Sequence, residues 1–231
     1  MELKLFSGGA AQAVVIGLQP AFQAAHGCTL SPIFGAVGAM RDKLLAGEAC
    51  DLLVLSAALI DQLMRQGHVV TGSARDLGPV ATGIAVPDGA APVDVGTSEA
   101  LKRTLSAAHG LYVPDLTQSS AGIHIASMLT ALGLDDSLAG RIREFPNGAT
   151  AMRAMAENGE EGMVGCTQVT EILYTPGVRL IGELPAAYAL RTVYTAAVCA
   201  RSEQPQEAAK LVELLTGAES LALRRESGFA I

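Results

Sequence analysis

The chain has 231 residues, half of them hydrophobic, 17% charged and 4% aromatic, with a formal net charge of −7. That composition excludes a disordered or fibrous chain and supplies a core for one or two compact domains. The acidic balance, with no Lys/Arg block, argues against general binding to nucleic acid or to an anionic membrane. An anionic ligand stays open, because backbone amides hold anions without carrying net charge.

Cys28, Cys50, Cys166 and Cys199 are widely spaced and form no C-x-x-C, and His26, His68, His109 and His124 are equally scattered. No metal site or other cofactor is expected from such spacing. Buried free thiols in a reducing compartment are the expectation, with two disulfides as the alternative. The first residues lead straight into a strand pattern rather than a basic, then apolar, leader, and the VVIGL run is too short to span a bilayer. The chain therefore reads as cytoplasmic with no membrane insertion, or as periplasmic if a leader has been removed.

Strand and helix patterns alternate almost from end to end. LKLF reads as a strand, and residues 10–25 as a helix with Val14, Val15, Leu18 and Phe22 inward and Pro20 freeing the carbonyl of Ile16. TLSPIF, a short helix over 38–45 stopped by Gly47, DLLVL and the helix SAALIDQLMRQG follow. Next come PVATGIAV, a helix after Thr97, the strand GLYVP, and helices over 120–132 and 148–158. EGMVG, VTEIL, GVRLIG and TVYTAAVCA predict strand, short helix, strand and long apolar strand, before two helices over 204–226 broken at Thr216-Gly217. Repeated β-α units imply largely parallel sheets covered by helices. With no Pro/Gly-rich linker, any domain division is expected to be threaded through the sheet.

Five turns carry small or polar residues at a strand end or helix start. LFSGGAAQA offers Ser7, Gly8, Gly9 and Ala10, but it lacks the lysine of a phosphate-binding P-loop and the glycine spacing of a dinucleotide loop. FGAVGAMRDKL offers Val37 and Gly38; PDLTQSSAGIHIASML offers Ser119, Ser120, Ala121 and Gly122. FPNGATAMRAM offers Asn147 and Gly148, and GMVGCTQVTEIL offers Gly165 and Thr167. Loops after the carboxyl ends of parallel strands share one edge, where ligands bind, so these turns predict a site of neutral donors for a small anion. Tight turns with no ligand are the competing reading. Arg191 precedes a long apolar strand and is expected to reach a cleft, whereas Arg41 and Arg153 read as solvated helix arginines. Tyr194 and Tyr188 are candidates for a cleft wall or for core packing. No nucleophile motif or paired carboxylate is present, which leaves His124, Glu171 and Tyr194 as the only candidate bases.

In their order, LFSGG, GAVGAMRDKLLAGEACDLLVLSAALIDQL, SSAGIHIASMLTALGL, EEGMVGCTQVTEIL, LPAAYALRTVYTAAV and a final SGFAI resemble the type II periplasmic solute-binding proteins, on the molybdate-binding branch. The resemblance covers nearly the whole chain. It implies an α/β fold of the periplasmic binding protein-like type II class: two α/β lobes, two crossing strands and a ligand cleft between the lobes. Lobe one is expected over 1–80 plus 196–231 and lobe two over 81–195, with hinges near 80–86 and 192–200. The resemblance also implies an ABC permease as partner if the chain is exported.

Where molybdate binders place hydroxyl donors, this chain has Ala10, Gly38 and Gly165. Losing such donors costs about 1–3 kcal/mol each, and the smaller side chains leave room. An organic carboxylate is therefore expected rather than molybdate or tungstate. The alternative is a cytoplasmic isomerase of a small unsaturated di- or tricarboxylic acid on the same fold.

Overall fold

The computed structural model describes residues 1–231, which group into two compact units: Met1–Val80 with Thr192–Ile231, and Ala81–Arg191. In the first unit, β1 (Glu2–Gly8) runs parallel to β2 (Thr29–Gly35) and to β3 (Leu52–Ser56), and β9 (Arg191–Val198) lies antiparallel to β3. A strand can follow its neighbour in parallel only through a crossover, supplied by α1 (Gln12–His26) and α2 (Val37–Leu45). Helix α3 (Ala57–Arg65) follows β3, and α9 (Pro205–Thr216) and α10 (Leu221–Glu226) end the chain. Val14, Val15, Leu18 and Phe22 are buried as their i, i+4 spacing dictates, while Ile16 and Pro20 face solvent, where water can take the carbonyl that proline leaves free.

The second unit is built on a sheet in which β5 (Gly110–Pro114) pairs in parallel with β6 (Ile142–Phe145) and β7 (Met163–Gln168). Strand β4 (Arg75–Pro87), which begins in the first unit, lies antiparallel to both β7 and β8 (Val178–Glu183). The sheets are thus mixed rather than largely parallel, because a β-α-β count cannot show which strands return antiparallel. Strand β6 and the short α6 (Asp135–Leu138) carry no clear periodicity of their own and escape the sequence patterns. Period-two alternation splits this unit's core between the two faces of the sheet. Ile84, Leu111, Val113 and Val164 pack with Leu101, Ile125 and Leu129 of α4 (Ser98–Ala107) and α5 (Ser120–Leu132). Ala85, Tyr112 and Met163 pack with Met152 and Met155 of α7 (Gly148–Asn158) and with Ile172 of α8 (Val169–Tyr174).

All four cysteines are buried and unpaired, and burial pushes the Cys166 thiol up to about 12. No helix is long and apolar enough to cross a membrane.

In the first unit a single buried cation ties the chain's end to the sheet. Arg224, only 6% exposed, donates to the carbonyls of Leu77, Thr216 and Gly217 and to the hydroxyl of Ser220. Two residues after Leu77, the carbonyl of Pro79 accepts from the Ala230 amide. Removing the guanidinium leaves buried acceptors without donors, at about 1–3 kcal/mol for each one that water cannot reach. Arg224→Ala is expected to lower unfolding stability by about 3 kcal/mol in urea denaturation, and Arg224→Lys to recover only part of it, because one ammonium cannot span the same carbonyls.

Candidate anion site

At the carboxyl edge of the first unit's sheet, three strands pass directly into helices. Strands β1, β2 and β3 end level with one another, with Gly8 paired to Gly35 and Ser7 to Val54. The residue at each turn has nearly the same extended backbone: Gly8 at φ −60°, ψ 145°, Ala36 at −62°, 140° and Ser56 at −65°, 145°. None of the three places a side-chain acceptor on the helix amides behind it. The first amides of a helix have no intrahelical acceptor and carry the positive end of its dipole, so three such turns on one edge form a set of neutral anion donors.

Small residues let the turns of that edge pack closely. A Cβ on Gly8 would stand 2.8 Å from Cγ1 of Val37 and 3.0 Å from Cε1 of Tyr194. The first turn, the start of α2 and the Tyr194 ring are therefore in close contact. Gly9 and Ala10 lie in the single 3-10 turn that opens into α1, and both are buried, as are Val37 and Gly38. Ser7 behaves differently from its expected donor role. It is fully buried and its hydroxyl donates to the Gly8 carbonyl at 2.9 Å, so it stabilises the turn from within.

The hydroxyl at this edge belongs instead to Ser56, which pairs in register with Tyr194, is 8% exposed and makes no side-chain hydrogen bond. Sequence reasoning passed over Ser56 as the first residue of a helix. Its position as the last residue of an otherwise apolar strand, immediately before a helix, is the signal that marks it.

The second unit's turns are built from similar residues, and three of its helix starts, those of α4, α5 and α7, are capped from within, while the short α6 and α8 are not. Thr97 and Ser119 accept from the amides of Ala100 and Gly122 (3.1 and 2.8 Å), and Asn147 accepts from Thr150 at 2.8 Å. A Cβ on Gly122 would run into the Asp115 carbonyl, so glycine is there for close backbone approach. Ala121 is buried, and Ser120, half-buried, keeps a hydroxyl with no protein partner. Gly148 donates its amide to Glu171 Oε1 at 3.1 Å, and the Thr167 hydroxyl donates to Glu171 Oε2. Gly148 and Thr167, expected as ligand donors, thus donate to the protein itself, whereas Ser119 and Asn147 are engaged as acceptors at the helix caps. Gly165 is corrected too, because the space beside its Cα is filled by Met152 and Met155 and is no room for a ligand.

The remaining candidates also have protein partners. Arg191 pairs with Glu183 at 2.9 Å, both about half exposed, rather than entering a cleft, and Arg41 pairs with Asp42. His124 holds the Tyr188 carbonyl at 2.7 Å through Nε2, and since a carbonyl only accepts, that nitrogen carries the proton. No three His, Cys, Asp or Glu side chains gather in a way that could hold a metal ion.

Glu171 is 4% exposed. Burial pushes its carboxyl above the usual range, although the Thr167 hydroxyl and the amides of Ala149, Gly148 and Gln168 pull the other way. A carboxyl whose folded-state value is raised binds more protons folded than unfolded. Its stability contribution is complete below the ordinary carboxyl range and is lost as pH rises through the folded value. Glu171→Gln is expected to flatten the fall in stability with rising pH above about 4.5, measured as urea midpoints across a pH series. An unchanged slope would mean that another group carries it.

This architecture, an α/β chain in two units with helix starts at the carboxyl edge of a parallel strand set, is that of the type II periplasmic binding proteins. Residues 3–230 match the family of bacterial extracellular solute-binding proteins, and the chain belongs to that family. Over 98% of its length it is 27% identical to an aconitate isomerase from Pseudomonas sp., covering 86% of that protein. Its fold is that of the periplasmic molybdate-binding protein of Azotobacter vinelandii, with a TM-score of 0.80 at 17% identity and 99% of each chain covered. The sulfate-binding protein of Mycobacterium tuberculosis superposes with a TM-score of 0.76 at 14% identity, over 99% of this chain and 86% of that one.

Proposed function

We propose that this solute-binding protein takes a small organic anion with two or more carboxylates, held chiefly by backbone amides at the carboxyl edge of the first unit's sheet. The observation that carries this reading is the set of three uncapped helix starts at Gly8, Ala36 and Ser56. A dehydrated tetrahedral dianion such as molybdate concentrates its charge and needs many donors at one point. Separate helix starts suit separate carboxylates, each spreading one charge over two oxygens. The net charge of −7 supports amides rather than side-chain cations as the binding groups.

A second reading, turnover of an unsaturated di- or tricarboxylate, is favoured by the match to an aconitate isomerase. Amide donors around a carboxylate stabilise the enolate-like charge that a proton shift along an allylic acid develops. Such a shift also needs a group that takes and returns a proton. The candidates are Glu171, which burial pushes toward the protonated form, and His124, which is bonded through Nε2 alone.

Binding of trans-aconitate at a hundred times its dissociation constant is expected to raise stability by about 2.7 kcal/mol, visible as a clear rise in melting temperature. Molybdate, tungstate and sulfate are expected to leave it unchanged. A shift with molybdate alone would overturn the carboxylate reading. Proton NMR of the same mixture then separates the two roles: new olefinic signals mean turnover, and an unchanged spectrum means binding only.

A further inference from the structure

Ser56 is the one polar side chain at the open edge of the first unit that is more than nine-tenths buried yet has no partner in the protein. A serine beginning a helix ordinarily turns its oxygen back onto the second or third amide, as Ser119 does for Gly122. Ser56 does not, so both its hydroxyl and the first amides of α3 are left for something else. The Ser56 hydroxyl is not among the side-chain atoms cut off from both protein and water, so it is reachable from solvent while the usual cap is left unmade. Helix α3 has nine residues, enough to present a dipole, and its start faces the same edge as those of α1 and α2.

We infer that Ser56 and the first amides of α3 form a second carboxylate subsite, separate from the one at Gly9–Ala10 and Val37–Gly38. The inference rests on the reading of this edge as an anion site and names the ligand class that edge selects. A carboxylate on the amides of α1 and α2 is the feature every ligand shares. A second carboxylate reaching Ser56 distinguishes polycarboxylates from monocarboxylates. The serine hydroxyl donates to one oxygen of that second group while the α3 amides take the other. Tyr194 is in register with Ser56, and its ring lies close to the Gly8 turn, so it neighbours both positions.

The test is calorimetric titration of the wild-type chain and of Ser56→Ala with trans-aconitate and tricarballylate as polycarboxylates and crotonate as monocarboxylate. Ser56→Ala is expected to weaken both tricarboxylates about tenfold and to leave crotonate within twofold, since losing one hydrogen bond to a charged group removes that much affinity. Tricarboxylate affinity that does not change in Ser56→Ala would overturn the subsite, as would an equal loss for crotonate, which marks a general defect. If the wild-type chain binds crotonate but no tricarboxylate, the anion site stands and the subsite falls. If it binds none of the three, the anion reading itself fails and the subsite with it.

Discussion

Three strands of the first unit turn straight into helices without a capping side chain, and the chemistry available to this molecule follows from that constraint. Capping a helix start is worth about 1 kcal/mol, and serine, threonine, asparagine or aspartate at the turn would supply it. Gly8 and Ala36 have no side chain able to do so, and Ser56 does not use the one it has. The unit therefore leaves stability unclaimed at three places along one edge, the pattern expected where a local rule is broken for function. The neighbours that close in on that edge, Val37 and the Tyr194 ring, are largely apolar. They lower the local dielectric and strengthen any bond between an amide and an anion.

The second unit uses the same strand-to-helix grammar with a different outcome at its longer helices. The starts of α4, α5 and α7 are capped by Thr97, Ser119 and Asn147, and the start of α7 already holds a group of the protein's own, the Glu171 carboxyl. That carboxyl shows what the amides can and cannot do. Three amides and a hydroxyl surround it, yet burial still raises its pKa, so desolvation outweighs the donors. An exchangeable anion faces the same balance on the first unit's edge. It must keep part of its hydration or find donors at more than one helix start, which favours a ligand whose charge is divided between separate groups.

The elements were largely legible because hydrophobic period and turn chemistry agree along most of the chain. Val14, Val15, Leu18 and Phe22 announce α1, and the run from Leu52 to Leu55 announces a strand buried on both faces. The resemblance carried the family and the fold, which pattern alone left at α/β. What stayed hidden was strand direction, since β4 and β9 look like any apolar strand until their partners are known, and weakly patterned pieces such as β6.

Within the candidate site, sequence showed where the turns lie but not how their side chains are used. Ser7 and Thr167 look like ligand donors in the sequence and donate to the protein instead, while Asn147 accepts at a helix cap, because the same turn residue can serve its own backbone or a ligand. Gly165 looked like space and is filled by Met152, which a glycine's own neighbours in sequence cannot reveal. Ser56 was overlooked for the converse reason. A serine before a helix is so regularly its own cap that only the observed absence of that bond makes it available.

The difference between a binder and an isomerase on this scaffold reduces to one proton. Amides that hold a carboxylate in the ground state hold it more strongly once charge builds on it, so the same edge serves both roles without alteration. Binding needs nothing further. Turnover needs a group that can take and return a proton. The Arg191 cation is paired at the surface and the Cys166 thiol is pushed up to about 12 by burial, whereas His124 is bonded through Nε2 alone. Burial moves the Glu171 carboxyl of the second unit upward while Gly148 and Thr167 hold it in place. Glutamine at this position could accept from the Gly148 amide but would have to reverse the Thr167 bond, because its second terminal atom donates. The carboxyl's two oxygens accept from both at once.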